Sequence, residues 1–214
     1  MGVRMKKVGI VLLAAGNSKR YGEIKLLDTL EGKKMYLHIF ENIREFTNCP
    51  KVVVTQYEEI YRMSLEYGYT PVKNLEPELG ISHSIHLGLR KILELEPDLD
   101  GVLFSVCDQP YLKKSTIEHL ISIYINSKKA LACVIYENNL GNPCIIGKKY
   151  YQELFALEGD VGGKKVIKRY PEDVELIAVE NQVELHDIDR KSDKWRLSGE
   201  DRCSNSSGRN ELAH

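Results

Sequence analysis

Five short apolar runs, Val8 to Leu13, Lys51 to Thr55, Val102 to Cys107, Leu131 to Tyr136 and Glu175 to Val179, recur along the chain with helix-patterned stretches between them. Runs this short suit buried strands, whereas the intervening segments repeat apolar residues at the spacing of one helical face. Ile39, Phe40, Ile43 and Phe46 form one such stripe, Ile85, Leu89, Ile92 and Leu93 a second, and Ile117, Leu120, Ile121 and Tyr124 a third. Strands of one sheet joined through helices run mostly parallel, and right-handed crossovers then place helices on both faces. The expected fold is therefore α/β: a single Rossmann-like, three-layer αβα domain with a mostly parallel sheet. Ligands are expected at the carboxyl ends of its strands.

A chain of 214 residues suits one such domain, predicted over residues 1–192. After Asp189 the periodicity stops and Ser, Asn, Gly and charged residues take over, so 193–214 reads as a flexible C-terminal tail, with docking of Trp195 and Leu197 as the alternative. Thirty basic and 31 acidic residues leave a net charge of -1, which offers no basic footprint for nucleic acid and nothing that points to a membrane. The apolar run near the start ends in a Gly-rich turn rather than a cleavage site, and reads as a first strand rather than a leader. Cys49, Cys107, Cys133, Cys144 and Cys203 are odd in number, contain no CxxC pair and lie mostly in apolar runs. Free thiols in a reducing compartment, and hence a cytoplasmic location, are expected. The six histidines show no HExxH or Cys/His ligand spacing, and no GxSxG or Cys-His pattern suggests a covalent nucleophile.

The strongest local signal is LLAAGNSKRYGEIKLL, Leu12 to Leu27, where the first strand breaks into small residues followed by Ser18, Arg20, Gly22 and Lys25. Exposed backbone N–H groups in such a loop form an anion site, and Arg20 and Lys25 can neutralise phosphate oxygens. It is neither a GxxxxGK[ST] loop nor a GxGxxG fingerprint, and a glycine turn with two solvated cations is the plain alternative. The third apolar run ends in Asp108, Gln109 and Pro110. A carboxylate at that strand end either holds a hard cation against phosphates or caps the turn that follows.

Residues Leu13, Ala14, Ala15, Gly16, Ser18, Arg20, Gly22 and Lys25 match the nucleotidyltransferase signature LAAGxSxRMGxxK, with Tyr21 in place of Met. Together with CDQP around Asp108, the chain resembles the molybdenum cofactor cytidylyltransferase-like family of the NTP transferase superfamily, whose members have a GT-A-like fold. The resemblance implies that Ala14, Ala15 and Gly16 line the base and ribose, and that Arg20 and Lys25 act on the phosphates. Asp108 is implied as a metal ligand. In Asn74 to Leu89, Gly80, Ser82 and Ser84 match a base-contacting segment, with Ser82 alternatively the cap of the helix that follows.

GNPCII resembles a GHP segment with Asn142 for His, and LEGDVGGKKVI resembles a GDxGxR segment with Lys164 or Lys165 for Arg. These imply acceptor contacts by Asn142, Asp160, Lys164 and Lys165, although GDVGG also suits a tight turn capped by Asp160. HDIDRKSD resembles a DIDTPED element and makes Asp189 a second metal ligand, with a solvated turn of Asp187, Asp189 and Asp193 as the local alternative. The implied reaction is Mg²⁺-dependent transfer of CMP from CTP to the phosphate of molybdopterin, with Mn²⁺ as an alternative metal. Ala15, at a position where guanylyltransferases carry Gly, is the basis for CTP. A client molybdoenzyme is the implied protein partner. A sugar- or polyol-phosphate nucleotidyltransferase of the same fold and a non-catalytic cofactor-delivery protein are the competing readings.

Overall fold

β1, Val8–Ala14, is buried at every one of its seven residues, which requires apolar cover on both of its faces. The computed structural model, which describes residues 5–18 and 21–193, shows where that cover comes from. Ile10, Leu12 and Ala14 share one core with Phe40 and Ile43 of α1 (Met35–Arg44), Ile60 of α2 (Glu58–Glu66) and Ile117 and Leu120 of α4 (Lys114–Asn126). Val11 and Leu13 point the other way, into a core with Ile85, Leu89 and Ile92 of α3 (Ile81–Leu95), Leu154 of α5 (Tyr151–Phe155) and Val166 of α6 (Lys164–Arg169). Alternation along one strand thus builds the three layers.

A short hairpin, β2 (Thr29–Leu30) and β3 (Lys33–Lys34), lies outside the main sheet. The other strands are β4 (Lys51–Thr55), β5 (Thr70–Lys73), β6 (Gly101–Val106), β7 (Leu131–Tyr136), β8 (Asn139–Gly147) and β9 (Val174–Ala178). The sheet order is β5-β4-β1-β6-β8-β7-β9, parallel throughout except for β8, which runs antiparallel to both β6 and β7. The chain leaves β1 toward β4 on one side and returns to β6 on the other. Between the carboxyl ends of β1 and β6 lies the topological switch point, the place where open α/β sheets bind ligands.

The five predicted runs are all strands, with ends shifted by no more than a residue or so. Besides the β2–β3 hairpin, two strands of the main sheet escaped the pattern. β5 carries Pro71, which an edge strand paired only with β4 tolerates. β8 contains Gly141, Asn142 and Pro143, and the missing proline N–H falls where the β7–β8 register slips between Cys133 and Ile135. α2 buries only Ile60 and Ser64, too thin an apolar stripe to stand out. No helix among the described residues is long and apolar enough to cross a membrane.

α3 approaches the sheet closely because Gly88 faces it: a Cβ there would lie 2.5 Å from Val11 Cγ1 and 3.0 Å from Val54 Cγ2. Alanine is worth about 1 kcal/mol over glycine in a helix interior, but Val11 and Val54 are fully buried β-branched side chains that cannot turn aside. Gly88→Ala is therefore expected to destabilise by up to about 2 kcal/mol net, since overpacking costs about 1–3 kcal/mol and the helix gain offsets about 1 kcal/mol of it. Gly162→Ala, whose Cβ would meet nothing nearer than Ile81 at 3.9 Å, is expected to change stability by less than about 0.5 kcal/mol. Urea denaturation of the two variants checks both, and equal midpoints would remove the close-approach argument.

Candidate active site

The loop that leaves β1 is held by its carbonyls. Thr55 Oγ1 donates to the Ala14 carbonyl at 3.0 Å, Gln56 Nε2 to the Ala15 carbonyl at 2.9 Å and Tyr57 OH to the Gly16 carbonyl at 2.5 Å. Three successive residues at the end of β4 thus clamp three successive peptide groups. Among the described residues no acceptor takes the N–H of Gly16 or Asn17, so this side of the loop is available to an anion. Ser18, with φ of 50°, turns the chain: its carbonyl accepts from Tyr21 N–H at 2.9 Å and its hydroxyl from Lys25 N–H at 3.1 Å. That second bond sets the position of Lys25.

Lys25 is buried, and its Nζ lies 2.6 Å from Asp108 Oδ2 and 3.1 Å from Asp189 Oδ1. Burial works against its charge, but the two carboxylates outweigh that and hold its pKa above the ordinary lysine value. The other Asp108 oxygen, Oδ1, is buried with no hydrogen-bond partner. Asp108 reaches this position at the end of β6, where its carbonyl accepts from Ile188 N–H at 2.9 Å. Next to it, buried Gln109 donates from Nε2 to the Leu185 carbonyl at 3.0 Å and to Asp187 Oδ1 at 2.8 Å. The segment around Asp187 and Asp189 is thereby docked onto the end of β6. Burial, reinforced by the charge of Asp108, pushes the Asp187 carboxyl above the usual carboxylate range. Asp193 plays a different part, its Oδ2 accepting from the N–H groups of Asp189 at 3.0 Å and Arg190 at 2.7 Å.

These groups open on one cavity of about 600 Å³ at the switch point. Ala15, Gly16, Lys25, Asp108, Asp187 and Asp189 line it, together with Gly80, Ser84, Asn142, Asp160 and Lys164. The Gly80 and Gly159 segments meet by backbone contact: Gly80 has φ of 84°, a Cβ on it would fall 2.4 Å from the Gly159 carbonyl group, and Ser82 N–H donates to the Gly159 carbonyl at 3.2 Å. Buried Asn74 ties Ser84 to the sheet, donating to Ser84 Oγ at 3.0 Å while its own N–H reaches the Thr55 carbonyl at 2.8 Å.

Three predicted site residues do not line the cavity. Ala14 turns into the α1 and α4 core on the opposite face of the sheet. Ser82 is buried in the first turn of α3, against the Gly159 carbonyl, and Gly80 rather than Ser82 is the N-cap. Lys165 is exposed, one step around α6 from Lys164. Arg20 lies outside the described residues. Asp187, Gln109, Asn74 and the Thr55-Gln56-Tyr57 clamp belong to the site but were not predicted. Their signal was local: Gln109 adjoins Asp108, and Gln56 and Tyr57 stand at the carboxyl end of a predicted strand.

The donor set bears on whether a metal fits. Among the described residues there is no group of three or more His, Cys, Asp and Glu arranged for a metal ion. Mg²⁺ does not require one, because it keeps several waters and takes one or two carboxylates plus phosphate oxygens. Asp108, with one buried oxygen unpartnered, and Asp189 supply that pair. Among the described cysteines, Cys107, Cys133 and Cys144 are buried, and burial pushes all three upward, Cys133 to about 12, which makes them poor nucleophiles.

Comparison with known proteins places this geometry. A "Probable molybdenum cofactor guanylyltransferase" of Pyrococcus horikoshii is 31% identical over 130 residues, which are 61% of this chain and 62% of that protein, so the chain matches about three fifths of the relative's length. Rv0371c of Mycobacterium tuberculosis H37Rv has the same fold, with a TM-score of 0.73 at 22% identity over 90% of this chain and 97% of that one. A manganese complex of Rv0371c gives a TM-score of 0.69 at 18% identity, again over 90% and 97% of the two chains. The family described as the MobA-like NTP transferase domain matches residues 10–174. That span takes in most of β1, the loop after it, Asp108 and Lys164, and the chain belongs to the family of MobA-like NTP transferase domains.

Proposed function

We propose that this chain is a nucleotidyltransferase that uses Mg²⁺, or Mn²⁺ in its place, to move CMP from CTP onto the phosphate of a molybdopterin-type acceptor. The observation that carries this reading is the meeting of Lys25, Asp108 and Asp189 at the switch-point cavity, with one buried Asp108 oxygen left open. An acceptor phosphate oxygen attacks the α-phosphorus, the bond from that phosphorus to the α–β bridging oxygen breaks, and pyrophosphate leaves. Such chemistry needs positioning and charge neutralisation more than a protein nucleophile. Asp108 and Asp189 hold the divalent metal, which supplies neutralisation of the triphosphate oxygens.

The N–H groups of Gly16 and Asn17 receive phosphate oxygens. Lys25 faces the same space, and Arg20 is assigned to the departing pyrophosphate on the family resemblance. In the same cavity, Lys164 and Asn142 are suited to the acceptor's phosphate, with Asp160 also in the lining. The catalytic unit is proposed to span residues 1–192, and the free cysteines suit a reducing, cytoplasmic setting. A molybdoenzyme that receives the product is the corresponding protein partner.

Ala15 supports cytosine as the base. It lines the cavity on the clamped loop, and its methyl takes space that glycine would leave to a larger ring. Transfer of GMP from GTP is the second reading, favoured by the name of the Pyrococcus relative.

Pyrophosphate release in Mg²⁺ from CTP, GTP, ATP and UTP, each with and without molybdenum-bearing molybdopterin, tests the proposal directly. Release from CTP that depends on the acceptor is expected; release from GTP alone establishes the second reading, and none from any nucleotide overturns both. Asp108→Asn is expected to lower kcat about 10²- to 10³-fold, the usual consequence of removing one aligned charge-stabilising group. Ala15→Gly is expected to move the CTP-to-GTP ratio of kcat/KM toward GTP by about tenfold, the scale of a single methyl in a pocket. An unchanged ratio would detach base choice from this residue.

A further inference from the structure

We propose that Lys25 is a stand-in for the divalent metal: its ammonium holds the carboxylates of Asp108 and Asp189 until metal arrives with nucleotide, and the two cations compete for the same oxygens. This inference rests on the nucleotidyltransferase reading and specifies how its metal site is filled. Lys25 Nζ contacts both carboxylates, at 2.6 and 3.1 Å. The Lys25 and Asp108 side chains are 11% and 18% exposed, so their attraction is only weakly screened, while Asp189 at 48% keeps an open side to solvent. A divalent ion on the same two carboxylates would face the ammonium at short range, and like charges so placed cannot both remain.

Phosphate bound against this loop would give the displaced ammonium a new partner. The free N–H groups of Gly16 and Asn17 mark the loop as the anion side of the cavity, and the backbone of Lys25 is tied to that loop by the Ser18 hydroxyl. A swing of the side chain alone therefore carries the charge from carboxylate to phosphate. Asp108 Oδ1 is buried without a hydrogen-bond partner, and it becomes a ligand for the metal once Lys25 moves aside. Free metal, bringing no phosphate, must evict Lys25 without that partner. The site thus binds metal alone poorly and metal together with triphosphate well.

The test is binding of Mn²⁺ alone, without nucleotide, followed by electron paramagnetic resonance and by the rise in Tm on adding the ion. Wild type is compared with Lys25→Met, Lys25→Gln and Lys25→Arg. Lys25→Met and Lys25→Gln are expected to bind Mn²⁺ at least about tenfold more tightly than wild type, since a competing buried cation has been removed. They should also show the larger metal-induced rise in Tm, while releasing pyrophosphate more slowly; Lys25→Arg, which keeps a cation, should stay weak for the metal. A Lys25→Met protein that folds only in the presence of Mn²⁺ supports the proposal in the same way.

Mn²⁺ affinity in Lys25→Met and Lys25→Gln equal to or below wild type overturns it, as does failure of both to fold with or without metal. Such results leave the nucleotidyltransferase reading intact wherever wild type still releases pyrophosphate. Absence of Mn²⁺ binding by wild type even with CTP would instead remove that reading.

Discussion

The ammonium of Lys25 is shared by carboxylates that lie 83 and 164 residues away in the chain. No local propensity can bring these three together; the sheet does. β1 delivers the loop that carries Lys25, β6 delivers Asp108, and the segment ending in Asp189 is docked on β6 through Ile188 N–H and Gln109. As a source of stability this triad is weak, because burying charge costs about as much as the pairing returns. Its consequence is electrostatic. Asp187 lies near the same group, its carboxyl pushed up by burial and by the charge of Asp108. A divalent ion would add positive charge to these clustered carboxylates and so balance the phosphates that come with it.

The loop would not hold this geometry without β4. Its amide groups face a ligand only because their carbonyls are engaged on the other side by Thr55, Gln56 and Tyr57. Small residues allow the loop to approach a ligand closely, but smallness alone would leave it mobile; the clamp makes close approach reproducible. The same strand end holds Asn74, and through it Ser84, so both sides of the nucleotide half of the cavity are referred to one strand. β4 contributes no charge to the site and yet sets the position of most of it.

How much of this was legible follows from where each signal resides. Strands buried on both faces read as continuous apolar runs, and β1, β4, β6 and β7 were visible for that reason, whereas β9, a half-exposed edge strand, was visible by its shorter apolar stretch. β8 was hidden because Gly141, Asn142 and Pro143, which disfavour a strand locally, sit at an irregularity that tertiary pairing accommodates. In the site, single-letter motifs located the right segments, yet not which residue of a pair faces inward. Lys164 lines the cavity and Lys165 does not; Ser84 lines it and Ser82 packs under Gly159. That choice depends on helix rotation, about 100° per residue, and so on packing of α3 and α6 that no isolated motif encodes. Gln109 and Asp187 escaped for a related reason: each acts through the other, across a gap of 78 residues.

The two halves of the cavity are built on different principles, and this bears on how specificity can change within such a fold. On the nucleotide side, position is set by side chains gripping backbone, so a residue such as Ala15 can vary in size while its carbonyl stays held by Gln56. Elsewhere in the lining, Gly80 lies against Gly159 with no room for a Cβ, and backbone meets backbone directly. A side chain at Gly80 would have to part the two segments that meet there. Under the proposed function, base preference can shift by substitution of one small side chain at Ala15, whereas a change at Gly80 requires the backbone around it to be rebuilt. The first kind of change is a local adjustment worth about 1–3 kcal/mol; the second redraws the cavity.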